Sequence, residues 1–129
     1  MRPELAPGPY VFATVAPGRD VPAGIVPQMI FREAEGVTLI LAEEEARSAG
    51  LASTFPCRMI TLRVHSSLAA VGFLAAVAAR LAAAGLAVNP VSGYFHDHLF
   101  VPAARAEEAI RILEALAAEE RGASPGDRA

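Results

Sequence analysis

Two histidines that flank an aspartate, His96, Asp97 and His98, are the group in this sequence best suited to chemistry. An imidazole can ligate a metal ion or exchange a proton near neutral pH, and a carboxylate between two of them can act as their partner. The chain holds one further histidine, His65, and one cysteine, Cys57. What this group can do therefore depends on which elements of the fold hold it and which residues they bring beside it.

Composition excludes several classes of function. A chain of 129 residues with a net charge of −3 fits one compact domain, or two very small units that share a core, and it lacks the basic patch that nucleic-acid binding requires. Residues 1–10 have no apolar segment typical of a signal peptide, and every long apolar run is interrupted by glycine or arginine. A single cysteine excludes an internal disulfide and fits a reducing cytoplasm.

The first half of the sequence predicts a strand, a loop, a hairpin and a short helix. Residues 10–15 are β-branched and aromatic, and prolines and glycines then punctuate 16–27. Residues 28–42 are typical of a hairpin that turns near Gly36. An acidic helix over 43–50 follows and ends at a glycine.

The second half predicts a strand over 58–64 whose apolar residues alternate, which is typical of a sheet that is covered on one side. The next helix is expected over 68–84, capped by Ser66 or Ser67, and its apolar and small residues on all sides predict burial on more than one face. A second hairpin and an amphipathic helix over 104–120 complete the domain. The inward residues of that last helix are expected to be Ile110, Leu113 and Leu116.

The order β-α-β-β-α in the second half repeats, without its first helix, in the first half. We therefore predict an α+β fold in which ferredoxin-like βαββαβ units form a degenerate tandem, with an antiparallel sheet and helices on one face. The expected boundaries are 5–57 for the N-terminal unit, 58–120 for the C-terminal unit and 121–129 for a disordered tail.

This fold predicts where the chemical residues meet. The first and third strands of a ferredoxin-like unit are antiparallel neighbours, so the end of strand 58–65 lies beside the turn that precedes the last strand. The N-terminus of the long helix is expected at the same place, and its unpaired N–H groups favour an anion. The residues expected to converge there are His65, Ser66, Ser67, Tyr94, His96, Asp97 and His98.

Three interpretations of this group stay open. A small zwitterion could bind with its carboxylate on the helix N–H groups and its ammonium on Asp97. A metal could instead bind His65, His96 and His98, because imidazole suits zinc. Alternatively, the group could simply form a solvated hairpin turn. We expect no enzyme and no cofactor, because no nucleophile elbow or phosphate-binding loop is present and helix capping explains the two serines.

The sequence resembles a known family in the stretches "YVFATV", "MIFREAEGVTLILAEE", "ITLRVHSSLAAVGFLAAVAARLAAAGLAVNPVSGYFHDHLFVP" and "RAEEAIRILEAL". These are similar to small stand-alone bacterial ACT-domain proteins, which contain two ACT-like units and no fused enzyme. The resemblance implies a regulatory or sensing module with a ligand site at the loop between the first strand and the first helix. In this sequence that loop is His65, Ser66, Ser67, Leu68, Val71 and Gly72, and the opposing wall is Asn89, Val91 and Ser92.

The resemblance also implies a small ligand, with an amino acid as the expected one, near the interface of a homodimer. The dimer is expected to bury either the alanine-rich helix or an open sheet edge. Neither nucleic acid nor a membrane is expected as a partner. The alternatives are a ligand-free interaction module and the histidine-bound metal.

Overall fold

The computed structural model of the protein describes residues 1–63 and 71–122. Seven strands and three helices make up this part of the chain. In chain order they are β1 (Arg2–Leu5), β2 (Tyr10–Val15), β3 (Met29–Glu33), β4 (Gly36–Ala42), α1 (Glu43–Ser48), β5 (Ser53–Arg63), α2 (Phe73–Ala83), β6 (Asn89–Ser92), β7 (Asp97–Pro102) and α3 (Ala106–Gly122), with a 3-10 turn (Ala103–Arg105) before α3.

The strands form one antiparallel sheet in the order β3-β4-β2-β5-β7-β6, and β1 pairs with β5 outside this path. The central strand is β5, which has 11 residues. On one edge, its first part pairs with β2 and its last part with β1. Its other edge pairs with β7. One long strand thus joins the two halves of the sheet.

The two units complete each other by exchanging strands. A ferredoxin-like unit needs a fourth strand beside its first, and the first strands here are β2 and β5. The beginning of β5 fills that position for the N-terminal unit, and β1 fills it for the C-terminal unit. With the helices on one side of the sheet, this arrangement confirms the predicted tandem of ferredoxin-like units.

The core is divided between the two faces of the sheet. Helices α2 and α3 cover β5 and β7 through a cluster that includes Leu62, Leu81 and Leu113. Helix α1 covers a smaller cluster on β2 and β4. The opposite face has no helix, and we call it the open face. There, Ile40 and Phe100 are buried, and half-buried aromatic and sulfur-containing side chains pack against them: Tyr10, Phe12, Met29, Phe55 and Met59. This burial on both faces gives the sheet a core on each side, although helices cover only one.

Helix α2 differs from its prediction in both its start and its burial. It begins at Phe73 with Gly72 as its N-cap, at φ 93°, instead of beginning near residue 68. Ser66 and Ser67, which were expected to cap it, lie outside the described residues. Only Val77 and Leu81 are buried, because the small alanines on its other sides face solvent within the single chain. The expected burial on more than one face is therefore absent from this chain alone.

The strand predicted over 58–64 is longer than expected, because β5 already begins at Ser53, where it pairs with β2, and so crosses the expected boundary between the units. The last helix buries Leu113 and packs Ile110 and Leu116 against the same cluster, as expected, and it continues to Gly122. The sequence did not predict β1, whose four residues include a proline and two charges. No helix in the described ranges has the length and apolar character needed to cross a membrane.

Candidate functional site

The candidate site lies where β5 ends and β7 begins. In the ladder between these strands, Thr61 is opposite His98 and Leu62 is opposite Asp97. The expected neighbourhood of the first and third strands is therefore confirmed. This pairing brings together residues that are far apart in the sequence, such as Thr61 and His98, which are 37 positions apart and share a hydrogen bond.

The group at 96–98 is split between the two faces of the sheet. Directly opposite residues of an antiparallel pair share a face, and successive residues alternate. Asp97 therefore shares the helix-covered face with Leu62, while His98 shares the open face with Thr61. The register therefore separates the side chains of Asp97 and His98, while the expected meeting of this group with His65, Ser66 and Ser67 stays a prediction, because those three residues lie outside the described ranges. The imidazole of His98 and the carboxylate of Asp97 serve different surfaces.

On the open face, His98 is fixed by its cross-strand partner. The hydroxyl of Thr61 lies 3.0 Å from its Nδ1 atom. Burial lowers the pKa of His98, and the neighbouring His96 imidazole lowers it further. Both effects favour the neutral ring.

Arg63, at the end of β5, contacts both a carboxylate and an imidazole on this face. The Nε atom of Arg63 donates to Glu4 Oε2 at 2.6 Å, and its Nη1 atom lies 3.3 Å from His96 Nε2. Arg2 makes a second ion pair with Glu4, at 3.0 Å. The hydrogen bond from Arg63 lowers the pKa of Glu4. Strand β1 thus supplies the carboxylate that neutralises the arginine of β5.

The contact with Arg63 also fixes the tautomer of His96. Because a guanidinium only donates, His96 Nε2 must accept, which leaves the proton of the neutral ring on Nδ1. That Nδ1 atom is buried and has no hydrogen-bond partner among residues 1–63 and 71–122. A buried donor without an acceptor is costly, so this imidazole is poised for an additional contact.

The described residues do not favour the metal interpretation. The Arg63 guanidinium, a cation, lies against the Nε2 lone pair of His96 that a metal would use. The rings of His96 and His98 are 6.5 Å apart. In residues 1–63 and 71–122, no three potential ligands come together. His65, the third expected ligand, lies outside these ranges.

On the helix-covered face, Asp97 is paired with Ser92 at the end of the second hairpin. The Ser92 hydroxyl donates to Asp97 Oδ1 at 2.6 Å. Helix α2 begins on the same face, and its first residue, Phe73, packs against the cluster that contains Leu62, the cross-strand neighbour of Asp97. This helix has no side-chain cap and no acidic residue in its first turn. Unpaired N–H groups at the start of a helix favour an anion, and none of the described side chains caps those of α2.

The other predicted site residues are distributed around this edge. Val71 is 97% exposed, and Tyr94, at the hairpin tip, is 83% exposed and contacts Phe95 edge to face. Val91 is opposite His98 and Asn89 is opposite Phe100, so both lie on the open face instead of forming one wall with Ser92. The strand–helix connection that includes His65, Ser66, Ser67 and Leu68 lies outside the described residues.

Sequence reasoning missed the ion pairs of this edge. Glu4, the partner of Arg63, belongs to β1, a strand that the sequence did not predict. A signal was present, since the alternation of charge and apolar residues in "RPEL" is compatible with a short edge strand. Its pairing partner could not be identified without the strand exchange between the units.

Comparison with known proteins places the chain in a family. ACT-domain models match residues 1–58 and 54–115. No curated protein matches the sequence. Among solved structures, VC0802 from Vibrio cholerae, described as a protein of unknown function and possible transport protein, is 44% identical, with a TM-score of 0.80 over 88% of each chain.

Two more distant structures share the fold. Atu0741 from Agrobacterium tumefaciens is 17% identical, with a TM-score of 0.76 over 88% of this chain and 87% of its own. The regulatory subunit of aspartate kinase from Thermus flavus is 12% identical, with a TM-score of 0.64 over 89% and 96%. ACT domains are typically ligand-binding regulatory modules. With two family matches that together span most of its length, and the strand exchange between its halves, this chain belongs to the ACT-domain family.

Proposed function

We propose that the protein is a regulatory ACT module that binds a small amino acid beside the β5–α2 connection, on the helix-covered face of the sheet. The ammonium group of the ligand contacts Asp97, and its carboxylate contacts the first N–H groups of α2. The observation that carries this proposal is the Ser92–Asp97 hydrogen bond on the face where α2 begins without a cap.

Asp97 is suited to an ammonium group. An ionised carboxylate has about four acceptor positions, and the Ser92 hydroxyl uses one of them. The Ser92 contact holds the carboxylate in one orientation at the end of the hairpin. Since Asp97 is half-buried, a cation there is only partly screened by water.

The start of α2 is suited to the carboxylate of the same ligand. The unpaired N–H groups and the positive end of the helix dipole favour an anion. Neither a side-chain cap nor a first-turn acid competes for them. A zwitterionic amino acid supplies both charges at the spacing of one small molecule, and regulation by such ligands is typical of the family.

The test is calorimetric titration of the full chain with each of the twenty amino acids, followed by the Asp97→Asn variant. Asparagine still accepts from Ser92, so the hairpin is retained while the charge is removed. We expect one amino acid to bind and its affinity to fall about tenfold to a hundredfold in the variant. Asp20→Asn, in an exposed loop, is the matched control and should bind like the unaltered protein. Equal affinity in all three proteins would contradict the role of Asp97.

We also propose that the protein forms a homodimer through the free edge of β3. Its exposed side chains include Ile30, at 53%, and Phe31, at 62%. The other edge strands among the described residues, β6 and β1, contain Pro90 and Pro3, and proline cannot donate to a ladder. An edge strand that has no proline and exposes two large apolar side chains is a template for pairing with another strand, and a second copy provides an identical one.

A further inference from the structure

We propose a second binding site in the N-terminal half, in a groove on the open face of the sheet, for an uncharged and largely apolar small molecule. The groove lies on the opposite face from Asp97 and α2, so it is independent of the amino-acid site proposed above. Its volume is about 380 Å³, within the range of small-molecule sites. The residues that line it are Phe12, Ala13, Thr14, Thr38, Ala52, Ser53 and Thr54.

Three neighbouring strands contribute the main polar groups of the groove. Thr14 of β2 is directly opposite Thr38 of β4, and Phe12 of β2 is directly opposite Thr54 of β5. Because opposite residues share a face, the three threonines surround the Phe12 ring on one surface. Each threonine offers a methyl group and a hydroxyl, which suits a ligand that is mainly apolar and has one hydrogen-bonding group.

A local irregularity separates β2 from β5 beside the groove. Between the pairs Tyr10–Cys57 and Phe12–Thr54, β5 has one residue more than β2, which is a bulge. Phe55 lies in this bulge at φ 57°, a left-handed conformation that is unfavourable for an aromatic residue. Its ring contacts Phe12 edge to face, with ring centroids 5.8 Å apart. Bulges and strained residues of this kind are concentrated at functional sites.

The lining decides the chemical class of the ligand. No charged side chain lines the groove, so a zwitterion would find no partner for either charge. The hydroxyl of Thr38 already donates to Glu33. Those of Thr14 and Thr54, which are on the same face as Phe12, have no hydrogen-bond partner among the residues that the structure describes. The favoured ligand is therefore a neutral aromatic molecule with a single polar group.

Indole is a suitable probe, because the protein contains no tryptophan and indole fluorescence can be excited apart from tyrosine. The full chain would be titrated into indole, with phenol as a competitor. Two variants test the location: Ala52→Leu, which fills the groove from an exposed position, and Thr54→Val, which removes a hydroxyl while keeping the shape. Ala83→Leu, an exposed alanine of α2, is the matched control.

The expected result is saturable binding of one indole per chain. Binding should be lost in Ala52→Leu, should weaken about fivefold to tenfold in Thr54→Val and should be unchanged in Ala83→Leu. The proposal would be overturned if neither indole nor phenol bound, or if Ala52→Leu bound indole normally. The proposal would also be overturned if no variant bound indole and sedimentation showed a changed oligomeric state for Ala52→Leu. That result would assign the groove to an interface between copies. A failure here leaves the amino-acid titration unaffected, because Asp97 is on the other face.

Discussion

Asp97 and His98 are adjacent in the sequence and face opposite sides of the sheet, with Asp97 opposite Leu62 and His98 opposite Thr61. This relationship assigns the side chains of Asp97 and His98 to two surfaces of different character. The carboxylate belongs to the face where a strand leads into a helix. The imidazole belongs to a face with an arginine, a glutamate and a threonine. Within residues 1–63 and 71–122, Asp97 and the two histidines beside it are therefore not arranged as a pair for proton transfer.

His98 should make the stability of the protein depend on pH in a defined window. Its pKa is lowered from 6.5 in the folded state, chiefly by burial, so the unfolded chain binds the proton more readily. Stability is then complete above pH 6.5 and decreases as the pH falls from 6.5 through the lower folded pKa. Urea unfolding at several pH values should show this decrease in the unaltered protein and a smaller one in His98→Gln.

The carboxylates affect the stability of the protein in a lower pH range than His98 does. The pKa values of Glu4, Glu108 and Glu119 are lowered from 4.5, each chiefly by a hydrogen bond from an arginine. Their contribution to stability is present above pH 4.5 and is lost only below it. If the free energy of unfolding changed with pH to the same extent in the unaltered protein and in His98→Gln between pH 5 and 6.5, the assignment to His98 would be contradicted.

Local sequence patterns predict most elements of the fold, because each is encoded by residues close together in the chain. The alternation in β5 and the glycine at the turn before β4 are examples. The start of α2 is not predicted, because leucine and alanine at 68–70 favour helix as strongly as the residues after Gly72. The burial pattern of α2 is not predicted either, because alanine is compatible with both solvent and core.

The candidate site was predicted only in part. The meeting of β5 with the 96–98 turn follows from the fold, and the structure confirms it. The division of that turn between two faces depends on where β7 begins, and a shift of one residue would reverse it. The ion pair of Arg63 with Glu4 depends on β1, whose partner lies 59 positions away in the sequence. Neither the register of β7 nor the strand that pairs with β1 can be identified from residues close together in the sequence.

Cys57 should be chemically inert in the folded protein. Its side chain is fully buried against Ile40 and Phe100, and burial raises its pKa to about 11. At pH 8 about one thiol in a thousand would be ionised, whereas a free cysteine is ionised to a far greater extent. Labelling with a thiol reagent should therefore be at least about a hundredfold slower in the native protein than in guanidinium-unfolded protein. Rapid labelling of the native chain would mean that this part of the open face opens readily.

The proposed homodimer makes a prediction about β3. The exposed edge of this strand has unpaired backbone groups beside Ile30 and Phe31. Natural sheets prevent pairing at an edge by placing lysine there, so Phe31→Lys should oppose association through both its charge and the loss of apolar contact. Sedimentation velocity should show a dimer for the unaltered protein and a monomer for the variant.

A lysine placed just outside β3 is the control, because it tests whether any added lysine would prevent association. Val26 is 81% exposed in the preceding loop, and Val26→Lys should remain dimeric. If Phe31→Lys were dimeric and Ala79→Glu monomeric, the interface would be the exposed alanine face of α2 instead. A monomeric unaltered protein would exclude both interfaces. Because β3 and β7, the strand of Asp97, lie on opposite sides of β5 in the strand order, loss of the dimer should leave the amino-acid affinity unchanged. A parallel loss of affinity in Phe31→Lys would instead mean that the ligand site is completed by the second copy.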